Sequence, residues 1–230
     1  MYQLLSAFER VFAGQVYRHR VSTTGDTIAG YLYEDLVSLG QSPKLIERVR
    51  NGQVAINTGN QIKGKKGRRG DGTFGRVVPE SSLTTDGNLI VPRSLVAHLE
   101  IGTEVKIGAT KLIAQVDRVI NDLGNQARIF RSLNRDAITV GIVGVNYADS
   151  YVVWEKDRSF VAKVPPYREA GEFANRIEHS VDSDYDELLI LRFDATNMEP
   201  YNFQWLNKTE TERLYGSALV RISAEYERRF

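Results

Sequence analysis

Two charged residues, Glu104 and Lys106, lie in the segment Leu99 to Ile107, whose apolar residues are Leu99, Ile101, Val105 and Ile107. The segment is predicted to be a β-strand that turns both charged side chains to one face, because alternate residues of a strand point to the same side. Charges in a buried strand are costly unless they have partners or a function. A carboxylate can bind Mg²⁺, and an ammonium beside it can position water or offset phosphate charge. The ordinary alternative is a simple ion pair, since Glu-x-Lys tripeptides are common.

A second acid is available in either of two turns. Asp71 lies in the sequence Arg-Arg-Gly-Asp-Gly-Thr-Phe-Gly, whose glycines would let a phosphate approach the backbone closely. Asp86 lies in Thr-Thr-Asp-Gly and is nearer to Glu104 along the chain. Asp-Gly is also a common turn dipeptide, so either acid could simply form a turn. Asp71 is favoured because cations surround it, and Asp86 remains the alternative.

Five cations fall within the seven residues 63–69, just before Asp71. The glycines around them predict a loop over residues 58–75. Such a loop is either a solvated surface element or a contact for nucleic-acid phosphates, which Lys and Arg neutralise without reading sequence. Under the second interpretation, the contacting residues are Lys63, Lys65, Lys66, Arg68 and Arg69. A P-loop is not indicated, because the Ser or Thr that should follow Gly-Lys is missing.

Hydrophobic periodicity predicts the elements that position these residues. Helices are predicted at about 1–20, 27–39, 43–50, 110–133, 166–181 and 209–228, and strands at about 53–57, 75–78, 88–91, 99–107, 137–145 and 187–193. Glu34 falls on the second helix, and Gln115 falls one turn into the helix after Lys106. Helices, then strands, then alternating helices and strands predict one α/β domain with a mixed sheet.

Composition narrows the chemistry and the setting. The chain has no cysteine, which excludes disulfides, zinc-thiolate sites and thiol catalysis. His19, His98 and His179 are far apart and have no ligand-like spacing. The net charge of +1 does not indicate a wholly basic polyanion-binding protein, whereas the uneven distribution of charge is compatible with a local phosphate-binding surface. Neither a signal peptide nor an apolar run of about 20 residues is recognised, so we expect a cytoplasmic protein without membrane association.

The order of these features resembles the PD-(D/E)xK nuclease superfamily, which includes many restriction endonucleases. The matching features are a helix bearing Glu34, Asp71 before a strand, the Glu-x-Lys strand, a helix and a further apolar strand. The resemblance covers about residues 27–145, with 1–26 as an N-terminal helix and 146–230 as a C-terminal elaboration. It implies a restriction-endonuclease-like mixed central sheet flanked by helices. The 33 residues from Asp71 to Glu104 then require an insertion at about 79–98.

The resemblance also implies a mechanism. Asp71 and Glu104 would bind Mg²⁺ or Mn²⁺, Lys106 would assist the attacking water, and Glu34 would support the metal from its helix. Gln115 and the cations of 63–69 would contact the nucleic acid.

The implied function is a Mg²⁺-dependent endonuclease that hydrolyses DNA, in restriction or another defence against foreign DNA. Double-stranded DNA is the expected partner, and a homodimer with one active site per strand is an arrangement used by many such enzymes. Two alternatives stay open. One is a nuclease-like fold that binds nucleic acid or a protein partner without cutting, and the other is a nucleotide-binding protein that uses the glycine-rich loop.

Overall fold

The structure is a computed structural model that describes residues 2–18, 23–59, 61–62, 70–87, 89–155 and 158–230. The α-helices within these ranges are α1 (Gln3–Phe12), α2 (Thr23–Leu39), α3 (Pro43–Arg50), α4 (Leu112–Leu133), α5 (Pro166–Val181) and α6 (Lys208–Arg229). The β-strands are β1 (Val54–Asn57), β2 (Gly72–Val77), β3 (Arg93–Ser94), β4 (Val96–Gly108), β5 (Ile138–Asn146), β6 (Val152–Glu155), β7 (Arg158–Val161), β8 (Glu187–Ala195) and β9 (Phe203–Trp205). None of the helices in the described ranges is long and apolar enough to cross a membrane.

Seven strands form one mixed sheet in the order β3-β1-β2-β4-β5-β8-β9. The central strands β4, β5 and β8 are parallel, β1, β2 and β4 are joined by antiparallel pairs, and β9 adds to β8 in the antiparallel sense. Strands β6 and β7 form a separate hairpin. Parallel neighbours need long crossover connections, and α4 and α5 lie in the two connections that join β4, β5 and β8. The prediction of an α/β protein with a mixed central sheet flanked by helices is therefore confirmed.

Helices cover both faces of the sheet. Helices α1, α2 and α6 pack on one face, where Phe8 and Tyr226 share a core with Ile142 of β5. Helices α4 and α5 pack on the other, where Val116 meets Val143 of the same strand. Because β5 lies between the two layers, all nine of its residues are buried. This position accounts for its nearly continuous apolar sequence.

The start of α4 is fixed by α5. Lys111 has a left-handed backbone conformation, with φ of 51°, where the chain turns from β4 into the helix. The Glu169 carboxylate of α5 accepts the backbone N–H of Leu112 at 2.7 Å and contacts that of Ile113 at 3.4 Å. A carboxylate at a helix N-terminus satisfies N–H groups that lack helical partners and interacts favourably with the helix dipole. Helix α4 is thereby set in the layer that faces Glu104 and Lys106.

The first two helices differ from their predicted limits. Helix α1 ends at Phe12 rather than near residue 20, because Gly14 adopts a positive φ of 72° and the chain leaves the helix there. Helix α2 begins at Thr23, four residues before the predicted start. The residues 23–25, expected to separate the two helices, form its first turn, and Asp26 lies inside it.

Several short strands also differ from prediction. Strand β2 starts at Gly72, inside the predicted loop, and residues 89–91 are not a strand. The sheet edge is instead formed by β3, two residues long. The hairpin β6–β7 and the edge strand β9 were not predicted. All of these strands are two to six residues long, too short for a periodic pattern to stand out.

Candidate active site

Glu104 and Lys106 form an ion pair on the face of β4 that is turned towards α4. The Lys106 Nζ donates to Glu104 Oε1 at 2.6 Å. Glu104 is only 7% exposed, whereas the Lys106 side chain is 26% exposed. Both residues line a cleft of about 500 Å³. The side chains that line it from α4 belong to Asp122, Asn125, Gln126, Arg128, Ile129 and Ser132.

Asp71 lies beside Glu104, directly before β2 begins. Its Oδ2 accepts the backbone N–H of Val105 at 2.8 Å, and its own backbone N–H donates to the Glu104 carboxylate. The ladder between β2 and β4 starts with Gly72 opposite Thr103, so the Asp71 side chain accepts a backbone N–H of β4 that lies just beyond the end of this ladder. The two acids are thus held together by the backbone of adjacent strands.

The N-terminal turn of α2 packs against Asp71 from the other side. A Cβ atom added to Gly25 would lie 2.6 Å from Cγ of Asp71, well inside van der Waals contact. Gly25 therefore leaves room for the carboxylate, and any larger residue at this position would press on it.

The electrostatics at Glu104 are set by its burial, by the nearby carboxylate of Asp71 and by the ammonium of Lys106. Burial raises the pKa of Glu104 to about 7, and the charge of Asp71 adds to the rise, against the lowering effect of Lys106. Burial lowers the pKa of Lys106, but the charges of Glu104, Asp71 and Asp122 outweigh it and leave the pKa raised. Lys106 is therefore protonated at neutral pH. A carboxyl group that lies in a cleft and whose pKa is raised by burial and by a like charge is typical of functional sites.

The two carboxylates suit a hydrated Mg²⁺ ion. Among the described residues, no group of three or more His, Cys, Asp or Glu side chains could hold a metal. Mg²⁺ does not need such a cage, because it is usually bound by one or two carboxylates and keeps several waters. A divalent cation beside Asp71 and Glu104 would also offset the repulsion that raises the pKa of Glu104. The donor set therefore fits an ion shared between protein, water and a phosphate.

Glu34 does not belong to this cleft, contrary to its expected role as a supporting carboxylate. Its two oxygens accept the backbone N–H groups of Ile90 and Val91, both at 2.9 Å. It is 1% exposed and lines a different cavity, with Ile56 and Arg93 at the β1–β3 edge of the sheet. Helix α2 covers the sheet face opposite to α4, so the sheet separates Glu34 from Glu104. Its role is to fasten the loop that leads into β3.

The rival acid, Asp86, also lies away from the cleft. Its Oδ2 is 3.0 Å from Nε of Arg93, and its side chain is 69% exposed. Arg93 belongs to the edge strand β3, three strands away from β4 in the sheet. Of the two candidate second acids, Asp71 is the one beside Glu104.

Gln115 is exposed at the beginning of α4, where its side-chain amide contacts the Thr110 carbonyl at 3.4 Å. The residue that reaches the cleft is Gln126, which is 6% exposed. Helix α4 runs back along β4 and advances about 1.5 Å per residue against about 3.3 Å in the strand. Four strand residues back from Gly108 to Glu104 therefore correspond to roughly nine helix residues. This difference in rise could have indicated from the sequence that the helix residues opposite Glu104 lie near the middle of α4 and not in its first turn.

Helix α4 approaches β4 closely because Gly102 has no side chain. A Cβ atom there would lie 2.6 Å from the Phe130 ring. The five cations expected to contact phosphate, Lys63, Lys65, Lys66, Arg68 and Arg69, lie outside the described residues. The chain resumes at Gly70, where an added Cβ would lie 3.0 Å from Oε2 of Glu104. Gly70, which follows Arg69 in the sequence, therefore lies beside the Glu104 carboxylate.

Comparison with protein-family models, with curated proteins and with solved structures found no match in any of the three searches.

Proposed function

We propose that the protein is a Mg²⁺-dependent endonuclease that hydrolyses DNA phosphodiester bonds and has a restriction-endonuclease-like fold. The observation that carries the proposal is that Asp71 lies beside the ion pair of Glu104 and Lys106, although 33 positions separate Asp71 from Glu104 in the sequence. An ordinary surface ion pair has no need of a second, partly buried carboxylate. Such an arrangement raises the pKa of Glu104 and costs stability, which is the pattern expected where a site serves chemistry.

Each residue has a separate role in this proposal. Asp71 and Glu104 would hold the metal, which when bound supplies Lewis-acid stabilisation of the negative charge on the phosphate. Lys106 is protonated, and an ammonium can donate hydrogen bonds but cannot accept a proton. It therefore orients the attacking water and offsets phosphate charge rather than acting as a base. The ion pair with Glu104 sets the direction of its side chain.

The wider arrangement supports nucleic acid as the substrate. Lys63, Lys65, Lys66, Arg68 and Arg69 precede Asp71 closely in sequence, and a phosphodiester backbone attracts such a cluster without regard to base sequence. Double-stranded DNA is the substrate we propose. Defence against foreign DNA, as in restriction, is the proposed setting by analogy with the superfamily that the motif resembles.

The proposal is tested by incubating the protein with supercoiled plasmid and MgCl₂ and following nicked and linear products. We expect cleavage that EDTA abolishes and that Asp71→Asn, Glu104→Gln and Lys106→Ala each reduce by about 100-fold or more, as losses of charge-stabilising groups commonly do. Asp86→Asn is the matched control, because it removes the rival carboxylate from a site at the sheet edge.

Four outcomes would contradict the proposal or one of its assignments. Cleavage that survives EDTA would exclude the metal mechanism, and full activity of Glu104→Gln would exclude the site. Retardation of DNA without any cleavage would instead favour a binding protein with a nuclease-like fold. Loss of activity in Asp86→Asn with full activity in Asp71→Asn would make Asp86 the second acid.

A further inference from the structure

Arg128 lies on the α4 side of the cleft, facing the same space as Glu104 and Lys106. Its guanidinium is held by its own helix. The Nε donates to the Gly124 carbonyl at 3.2 Å, and Nη2 donates to Asn125 Oδ1 at 2.6 Å. Long cationic side chains at a surface lose rotamer freedom when they bind, so a side chain already aligned binds at a lower entropic cost.

Much of the binding capacity of Arg128 is unused. A guanidinium has five N–H donors, and the two bonds to Gly124 and Asn125 account for two of them. Within the described part of the chain, no carboxylate lies within ion-pair distance of Arg128, whereas Arg118 and Arg131 of the same helix each have one. A fixed, exposed guanidinium with three donors left is suited to a phosphate, which Arg binds through paired N–H groups.

The position of Arg128 along α4 decides which phosphate it can reach. The charge of Asp122 acts on Lys106, so the helix passes Lys106 near Asp122. Arg128 is six residues further along, which is about 9 Å in a helix. Successive phosphates of one strand advance about 3.4 Å along the duplex axis. For a nucleic-acid strand that runs parallel to α4, this distance corresponds to two or three nucleotides from a phosphate bound at Lys106.

We infer that Arg128, aligned by Asn125, binds a backbone phosphate of the strand in the cleft, two or three nucleotides from the bond that is cut. The inference rests on the proposed function, since it takes the ligand of the cleft to be a nucleic-acid strand. The contact reads no base, so it contributes affinity and register rather than sequence specificity. It also assigns a nucleic-acid contact to the middle of α4, a region for which the sequence pattern indicated only a helix.

The test measures binding separately from cleavage. Fluorescence anisotropy with a labelled duplex of about 20 base pairs, in EDTA and at about 50 to 200 mM NaCl, gives the affinity and its salt dependence. We expect Arg128→Ala to weaken binding about tenfold and to lower the salt slope by about one. Arg128→Lys should fall between the wild type and Arg128→Ala, because it keeps the charge and loses the paired donors. Asn125→Ala should weaken binding less than Arg128→Ala.

Arg168→Ala is the matched control. Arg168 is exposed on α5, outside the cleft, and its guanidinium contacts the side chain of Tyr167. Its substitution should leave the affinity and the salt slope within about twofold of the wild type. With Mg²⁺ present, Arg128→Ala should raise KM for plasmid and leave kcat within about twofold, because the phosphate that it binds is not the one attacked.

Four results would overturn the inference: unchanged affinity of Arg128→Ala, an equal loss in Arg168→Ala, a fall in kcat without a rise in KM, or no binding of DNA by the wild type. Failure of the inference differs visibly from failure of the proposed function. A protein that cuts DNA while Arg128→Ala binds normally would contradict the inference alone. A protein that never cuts but loses affinity selectively on Arg128→Ala would support the inference and contradict the nuclease.

Discussion

The ionised Glu104 carboxylate destabilises the fold above neutral pH, because it is buried and lies beside the charge of Asp71. Its pKa is raised to about 7 in the folded protein, mainly by burial, from an ordinary value near 4.3 in the unfolded chain. A carboxyl group with a raised folded pKa favours folding fully below its unfolded pKa, and that contribution is lost as pH rises through the folded pKa. Stability should therefore fall between about pH 4 and pH 7 because of this one group.

We predict that Glu104→Gln, which destroys the proposed activity, makes the metal-free protein more stable at pH 8 by about 1–3 kcal/mol. The gain should vanish at about pH 4, where Glu104 is protonated in both states. Urea unfolding in EDTA at the two pH values measures the free energy of unfolding. A variant that is less stable than the wild type at pH 8 would contradict the strained position of Glu104.

The pKa of Asp186 is shifted in the direction opposite to that of Glu104, so Asp186 provides an internal comparison. Burial opposes its ionisation, but hydrogen bonds from Arg229 and Thr139 outweigh this and lower its pKa. The Arg229 Nη2 is 2.5 Å from Oδ1, and the Thr139 backbone N–H is 2.8 Å from Oδ2. A lowered folded pKa contributes stability above the unfolded pKa, and that contribution is lost as pH falls through the folded pKa.

Asp186→Asn should accordingly lower the free energy of unfolding by about 1–3 kcal/mol at pH 7, since charged hydrogen bonds are replaced by weaker ones. The difference from the wild type should shrink as the pH is taken below about 4. Thermal unfolding of the two proteins at several pH values gives this curve. A difference that stays constant with pH would mean that Asp186 contributes through packing and not through its charge.

At the scale of the elements, helix α2 limits the space around Asp71 through Gly25. We predict that Gly25→Ala reduces the proposed nuclease activity by about tenfold or more, because the new methyl group would displace the carboxylate that we assign to the metal. The helix itself should not suffer, since alanine favours helix over glycine by up to about 1 kcal/mol.

Gly171→Ala in α5 is the matched change. Nothing lies within 4 Å of a Cβ atom at Gly171, so its substitution should stabilise the protein and leave the activity intact. Plasmid cleavage and thermal unfolding of both variants separate the two effects. Equal activity of the two variants would show that Asp71 does not need its observed position.

The elements themselves divide into those that local pattern predicts and those that it does not. Helix α3 was predicted to the residue, because Pro43 follows a Ser42 side chain that caps the N–H of Leu45. Helix α5 and strand β5 likewise have long, regular apolar patterns. Strands β3 and β9 have two and three residues, and they exist only because a neighbouring strand accepts them at the sheet edge. Such pairing depends on residues far away in sequence.

The same distinction applies to the candidate site. Glu104 and Lys106 were recognisable because they are two residues apart on one strand, and Asp71, the favoured second acid, lies beside them in the structure. Gln126 rather than the expected Gln115 lines the cleft, and Glu34 lies outside it because of the sheet face that helix α2 covers. That choice is made by packing of the whole layer and leaves no signal in a short sequence window.

At the scale of the whole molecule, the C-terminal third is part of the central structure. Strand β8 pairs with β5 over seven residue pairs, and α6 packs against α2 and α3. The Arg48 guanidinium and the Tyr226 hydroxyl both bind the buried Glu100 carboxylate, which joins α3, β4 and α6. Residues 146–230 are therefore no appendage to a separately folded nuclease core.

We predict that a fragment of residues 1–146 does not fold. It lacks β8 and α6, so it exposes β5 and the core residues that pack around Tyr226 in the intact chain. The intact chain should unfold in a single cooperative transition. Circular dichroism and a two-dimensional NMR spectrum of the fragment measure this directly. A well-dispersed spectrum of the fragment would contradict the single structural unit.

Because Glu34 binds backbone amides of the β2–β3 connection, it limits how often that connection opens. Two adjacent amide protons, those of Ile90 and Val91, are bound by one buried carboxylate, although Ile90 itself is 51% exposed. They should exchange with solvent deuterium at least about tenfold more slowly than the amides of exposed Leu83 and Thr85. Glu34→Ala should remove this protection at both positions at once. Two exchange rates in one peptide would then report how often the edge strand β3 detaches from the sheet.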